Sequence, residues 1–500
     1  MKSKKTICLL LACLLLTPLF AACGDKPGNG DGSAGQAALS GTEDRDTLGI
    51  PLSADFGEYE FNILVCSNGG CGITDDFMAA EDSGVSLDVA QYKRTKKVEQ
   101  DYNISIVSAA MKAGSTNGTG AGFKALSTAA NSGDYTYDLA VLGSYEASNL
   151  ATNGFLYDMG AVPGIDLSKN WWDQKANAAL SMQGITFFTS GNLSLANNEA
   201  AMVILMNKKL LADYGLDKTS PYDMVRDGTW TFEKFTELGK QVSEDLNNDG
   251  EMDENDRYGL LIWDDSAIGV IGAVGERCCT VDPATGEIGL TLYNERVISA
   301  LEQYFSLAFD KQHALCYQRI PGATGSALFG GNHGVFIATY MGLVRSQREM
   351  EDDFGILPYP KLDTAQQNYN SLIAPYNSMF TCVPLVQEDV ERTGIITEAL
   401  AYYGREIVLP AYYDVSLVGQ STRDDESSEM LDIIFDNLVF DIGFIFRVGT
   451  YNGKILDLLR TYDMNFTSMY ETYEPRANMQ IEEINRGYSA AIALWQKDAQ

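Results

Sequence analysis

Short apolar runs bounded by polar or glycine punctuation alternate along this chain with longer segments of helical period. Residues 59–65 (Tyr-Glu-Phe-Asn-Ile-Leu-Val) read as a strand, residues 89–102 as a polar helix and residues 104–107 as a strand. A helix over 123–131 and a strand over 137–142 follow, the latter capped by Gly143-Ser144-Tyr145. Residues 185–189 read as a further strand. The pattern then repeats. Met202–Met206 is wholly apolar, Asn207-Lys208-Lys209 punctuates, and Leu210, Leu211 and Tyr214 form an amphipathic segment closing at Gly215. After a helix over 231–244 and an acid-rich loop over 245–256 come strands over 258–263 and 335–340. A helix-rich tail runs from residue 390 to the end.

Strands separated by helices predict an α/β fold with parallel sheets and right-handed crossovers. In such sheets ligands sit beyond the carboxyl ends of the strands. The loops starting at Cys66 and Gly143 are therefore expected pocket walls. Tyr145, Trp263 and Tyr340 are candidate ligand contacts, each at the carboxyl end of a predicted strand.

Length changes the picture, because 500 residues exceed one core and two domains are expected. Hydrophobic content of 45% supports packed domains over disorder. A formal charge of −32, with no Lys/Arg stripe, excludes nucleic acid as an expected partner and disfavours a strongly anionic ligand.

At the N-terminus Lys2, Lys4 and Lys5 precede the apolar residues 7–16, a run too short to span a bilayer permanently. Phe20-Ala21-Ala22-Cys23-Gly24 resembles the bacterial lipobox, with Phe20 where an aliphatic residue is usual. Residues 1–22 are thus an expected leader and Cys23 the expected lipidated residue. Residues 23–55, rich in Gly, Asp, Ser and Ala, lack the apolar surface to fold and form a tether reaching about 30 Å. Cys66 and Cys71 are spaced for a small disulfide loop, buried free thiols being the alternative.

Several ordered motifs carry a family resemblance. They are the strand–Asn207-Lys208–helix–Gly215 unit, Trp230-Thr231-Phe232 with Phe235, and Asp245-Leu246-Asn247-Asn248-Asp249-Gly250. Leu156-Tyr157-Asp158-Met159 and Gly355-Ile356-Leu357-Pro358-Tyr359-Pro360 add to them. Together they resemble family 1 extracellular solute-binding lipoproteins of ABC importers, a family that includes sugar-binding members. The resemblance runs from about Tyr59 to the end. It implies a periplasmic-binding-protein-like fold, two α/β lobes around a hinge and a cleft. The expected N-terminal lobe is residues 56–197 with 366–410, and the C-terminal lobe 198–365 with 411–500. It further implies a non-enzymatic monomer, lipid-anchored on the outer face of the cell membrane. Such a protein would pass a small polar solute, an oligosaccharide foremost, to membrane permease subunits. Glu199 at the first crossing and Trp263 are the positions that face ligand in sugar-binding relatives, and the doublet Trp171-Trp172 is a further candidate platform. Core packing is the competing explanation for each aromatic.

Residues 245–256 also carry calcium-loop spacing. Asp245, Asn247, Asp249, Asp253 and Asp256 stand at positions 1, 3, 5, 9 and 12 of the loop. Gly250 stands at the sharp turn and Glu251 offers its carbonyl. Structural Ca2+ is the expectation, an acidic turn the alternative. No GxSxG, HExxH or GxxxxGK[ST] motif occurs, and no catalytic cofactor is expected. A surface-tethered glycan hydrolase remains the rival reading, because no spacing singles out or excludes a carboxylate pair.

Overall fold

The computed structural model describes residues 47–69, 76–82, 85–111, 117–347, 350–418 and 425–498. Residues 45–500 cluster as one compact unit. The expected leader, Cys23, most of the tether and Cys71 lie outside the described residues. Cys66 is a buried free thiol. Among the described residues no helix is long and apolar enough to cross a membrane.

The strands run β1 Tyr59–Cys66, β2 Ile104–Met111, β3 Leu139–Gly143, β4 Met202–Asn207, β5 Ser243–Glu244, β6 Arg257–Ile262 and β7 Cys279–Val281. They continue with β8 Ile288–Leu290, β9 Ala314–Cys316, β10 Gly334–Tyr340, β11 Phe354–Leu357, β12 Ser371–Leu372, β13 Met379–Cys382 and β14 Leu438–Val439. Two main sheets result, ordered β13-β3-β1-β2 and β11-β4-β10-β6-β5, with β9 also paired to β6. In the first, β2 and β3 flank β1 in parallel, joined through the helices Ser86–Tyr102 and Ala121–Ser132. Strands β3 and β4 and the second half of β1 are near-continuous apolar runs because both faces of each sheet are covered there.

Neither sheet is purely parallel, against expectation. β13 runs antiparallel to β3, and β4 runs antiparallel to both β10 and β11. These strands arrive from distant parts of the chain and not through a short helical crossover, so the handedness rule for βαβ units does not fix their direction. Residues 185–189 make only isolated bridges, Met182 with Ile185 and Thr189 with Thr381. The helix expected over 231–244 stops at Gly239. A Cβ on Gly259 of β6 would lie 1.8 Å from the Gly239 carbonyl oxygen, so backbone meets backbone there. The chain beyond then turns back as β5 against β6, which makes the acid-rich loop a hairpin connection.

The terminal helix Phe466–Asp498 packs against the small β7-β8 sheet and the segment at Ile185. Its Asn485 exchanges hydrogen bonds with Ile288 of β8, while Tyr488 donates to the Ile185 carbonyl at 3.1 Å.

Trp171 and Trp172 are interior, at 0% and 1% exposure, in the core beneath the first sheet. Trp172 donates through Nε1 to Glu398 Oε2 at 2.8 Å, and the Trp171 ring meets Tyr402 edge-on at 5.2 Å. Burial raises the Glu398 carboxyl to about 7, opposed by the Trp172 hydrogen bond. The doublet offers no face to a ligand; the apolar surface of two indoles is worth more inside the core than at a wet rim. Trp172→Ala is expected to cost roughly 3–5 kcal/mol in chemical denaturation. A loss below about 1 kcal/mol would mean that the ring is not packed as described.

Candidate functional site

Strand ends from the two sheets converge on one cavity of about 690 Å³. Gly69 follows β1, Tyr145 follows β3, Trp263 follows β6, and Tyr340 ends β10. Three residues proposed at strand termini, Tyr145, Trp263 (also on the family resemblance) and Tyr340, therefore line the same space. The Trp263 and Tyr340 rings lie 4.9 Å apart at an interplanar angle of 48°. Gly342 makes this possible, since a Cβ there would stand 2.5 Å from the Tyr340 ring.

Local backbone chemistry fixes each wall. A Cβ on Gly143 would fall 2.3 Å from Asn68 Oδ1, so the ends of β1 and β3 touch. Asn68 Nδ2 donates to Ser144 Oγ at 3.1 Å and to the Pro375 carbonyl at 3.2 Å; Ser144 Oγ donates to that carbonyl at 2.6 Å. This cluster holds the returning segment that brings Tyr376 and Asn377 to the cavity. After β6, the Trp263 carbonyl accepts the Ser266 amide, starting the helix Ser266–Ala273. Ser266 Oγ sits 2.7 Å from the Tyr304 hydroxyl and pins that turn.

Sequence reasoning missed the polar residues of the site. Asp264 is buried, takes the Arg460 guanidinium at 2.6 Å, and donates its own amide to Gln318 Oε1 at 2.6 Å. Asp265, next along, is partly accessible at the cavity wall. Burial, followed by repulsion from Asp264, raises its carboxyl to about 7, with Arg460 opposing. Arg447 stands 5.4 Å over the Tyr145 ring, and Asn452 Nδ2 reaches the Tyr145 hydroxyl at 3.3 Å. Arg447 and Thr450 both adopt left-handed backbone (φ 56° and 58°), an outlier for a β-branched residue of the kind that clusters at functional sites. They come from the tail, whose helical period carries no sign of a pocket. The acidic doublet Asp264-Asp265 directly after a predicted strand was the one available signal.

Glu199 does not line this cavity. It is buried with Oε2 3.3 Å from Arg345 Nε, behind the turn that carries Tyr340.

In the acidic loop the side-chain oxygens serve the loop's own amides. Asp245 accepts from Asn248 and Gly250, Asn247 from Asp249, and Asp249 from Glu251. Asp256 is fully buried, and its two oxygens accept the Leu246 and Asp253 amides at 3.0 and 2.8 Å. It is an internal staple and not an outward twelfth-position ligand. Among the described residues no group of three or more His, Cys, Asp or Glu side chains gathers closely enough to hold a metal ion.

Residues 89–297 match the model for the family described as bacterial extracellular solute-binding protein. Among curated proteins, no sequence matches the chain. Solved structures similar in fold include an ABC substrate-binding protein from Listeria monocytogenes in complex with cycloalternan. It shares 14% identity over 86% of this chain and 98% of its own, at a TM-score of 0.53. The galacto-N-biose-/lacto-N-biose I-binding protein of an ABC transporter from Bifidobacterium longum, in complex with lacto-N-biose, gives 11%, 86%, 98% and 0.55. A cyclic α-maltosyl-1,6-maltose binding protein from Arthrobacter globiformis gives 12%, 88%, 100% and 0.51.

Breaking the Asp264–Arg460 pair tests the cavity wall. Removing one partner of a buried pair costs about 3–5 kcal/mol, and the half-exposed Arg460 end reduces that. Arg460→Ala is therefore expected to destabilise by roughly 1–3 kcal/mol in urea melts, and Arg460→Ala combined with Asp264→Asn by less. A double variant no better than the single one would remove the pair from the account.

Proposed function

We propose that this chain, which carries a family 1 bacterial extracellular solute-binding domain on a periplasmic-binding-protein-like fold, captures a neutral oligosaccharide for an ABC importer. One observation carries the reading. Aromatic rings at the ends of β6 and β10 and after β3 surround a cavity that also holds Asp265, Arg447 and Asn452. Sugars present apolar C–H faces rimmed by hydroxyls, so flat rings beside hydrogen-bonding groups match them. A volume of about 690 Å³ lies within the usual range for small-molecule sites. The solutes named for proteins of similar fold, cycloalternan and lacto-N-biose, support a carbohydrate.

In this reading two lobes, one built on each main sheet, close over the solute by hinge bending. Cys23 carries the lipid and residues 23–55 space the body from the outer face of the membrane, where permease subunits receive the solute. The protein acts as a monomer and breaks no bond.

Calcium at residues 245–253, with Asp256 stapling the loop behind them, is part of the proposal on the strength of the residue pattern and the left-handed Gly250 (φ 85°). Oxygens that already accept an amide keep a second lone pair for a cation. Binding would gather side chains now spread over the loop's own amides.

Calorimetry against maltotetraose, lacto-N-biose, amino acids and peptides tests the solute class. Binding of at least one sugar with the sugar recovered intact is expected; its hydrolysis would favour the glycan hydrolase. Trp263→Ala should weaken that binding at least tenfold, about 1.4 kcal/mol. Trp263 is only 7% exposed, so truncation also costs stability, and Trp263→Phe serves as the packed control. Equal affinity in all three proteins would put the ring outside the solute's reach. For the loop, EDTA should lower the melting temperature and excess calcium restore it; identical melts would leave the turn closed by hydrogen bonds alone.

A further inference from the structure

Beside the aromatic pair and the Asp264–Arg460 ion pair, the cavity wall carries a second carboxylate in a different situation. Asp264 and Asp265 are adjacent in sequence but differ in circumstance. Asp264 is bound to Arg460. Among the described residues the Asp265 carboxylate has no hydrogen bond or ion pair. It lines the same cavity as Trp263, Tyr340 and Tyr145. The charged and titratable groups around it are Asp264 beside it, Arg460 from the helix Tyr451–Thr461 and Tyr145 from the helix Ser144–Thr152, with Tyr317 and Tyr359 beneath. Only Arg460 is cationic, and it is committed to Asp264. Arg447, across the cavity, lies over Tyr145.

A carboxylate at a partly enclosed wall is costly until donors reach it, because a charge lacking protein hydrogen bonds there forfeits part of its hydration. Two adjacent hydroxyls of a sugar ring supply two donors to its two oxygens, in the bidentate manner a carboxylate accepts. The neighbouring indole can cover the C–H face of the same ring. We propose that Asp265 is the specificity-determining acceptor of this site, binding vicinal hydroxyls of a neutral sugar in its ionised form and so coupling capture to external pH.

The sign follows from linkage. Burial holds the free carboxyl at about 7, so it is largely protonated in mildly acidic medium. Hydroxyl donors favour the ionised form and lower the bound-state value. Affinity is then constant above pH 7 or so and falls by up to tenfold per unit below it, until the bound-state value is reached. A protonated Asp265 both loses one acceptor and presents its own proton to the ligand.

This rests on the carbohydrate reading, and the experiment separates the two. Calorimetry of the whole soluble body with maltotetraose and lacto-N-biose is run from pH 5.5 to 8.5 on wild type and Asp265→Asn, with melting temperatures recorded for both. Wild-type affinity for the bound sugar is expected to drop at least tenfold from pH 8.5 to 5.5. Asp265→Asn, of the same shape, is expected to bind about tenfold more weakly at pH 8.5 and to show a flat profile. Glu398 and Asp441 also titrate in this range but lie outside the cavity, so a slope due to them persists in the variant. A variant with wild-type affinity, or one that keeps the wild-type slope, overturns the assignment of Asp265 while leaving the carbohydrate reading intact. Wild type that binds neither sugar at any pH overturns both.

Discussion

The site depends on two chain crossings that hydrogen-bond to each other between the sheets. After Ala200 the chain enters β4, and after β12 it returns to β13; where the two pass, Ala201 pairs with Ile373 and the Ala374 amide donates to the Ala200 carbonyl at 2.8 Å. The Met341 amide, just past the end of β10, donates to the Ala201 carbonyl at 2.8 Å. Buried amides left unpaired there would cost about 1–3 kcal/mol each, so strand ends that could have splayed are held together. Asn68 and Ser144, both reaching the Pro375 carbonyl, extend the same lock to β1 and β3. Tyr145, Trp263 and Tyr340 share a cavity because their strands are tied at this crossing.

Charge is arranged against the background of the whole molecule. A chain of −32 places Arg447 and Arg460 at the cavity, and among the described residues a close carboxylate neutralises only Arg460. In a partly dry site such charges act over longer distances than on the surface, since solvent screening is weaker. Arg447 reaches its place through left-handed backbone, and with Thr450 it is held by neighbours that leave no other path: Val448 and Gly449 are buried, and the Gly449 amide donates to Gln480 of the terminal helix at 2.7 Å. Backbone of this kind costs of order 1–3 kcal/mol per residue and persists only where packing over-determines it.

The same comparison of local and distant forces separates what could be read early from what could not. Strand positions were legible because a strand covered on both faces must be apolar throughout, as Met202–Met206 is. Their carboxyl ends, and so three of the cavity's aromatics, followed from that, Trp263 also from the family resemblance. The Trp171-Trp172 doublet misled because composition does not distinguish an indole that stacks on a sugar from one that fills a core; Glu398, 226 residues away in sequence, decided it.

By itself the sequence determined the alternation of strands and helices, the acidic surface, and the turn chemistry of the loop at Asp245, all of which arise from residues close together in the chain. Tertiary structure decided strand direction where distant segments return, the fate of Glu199 beside Arg345, and the difference between Asp264 and Asp265. Those outcomes turn on partners more than a hundred residues away, and the free energy of a buried charge depends on which partner arrives.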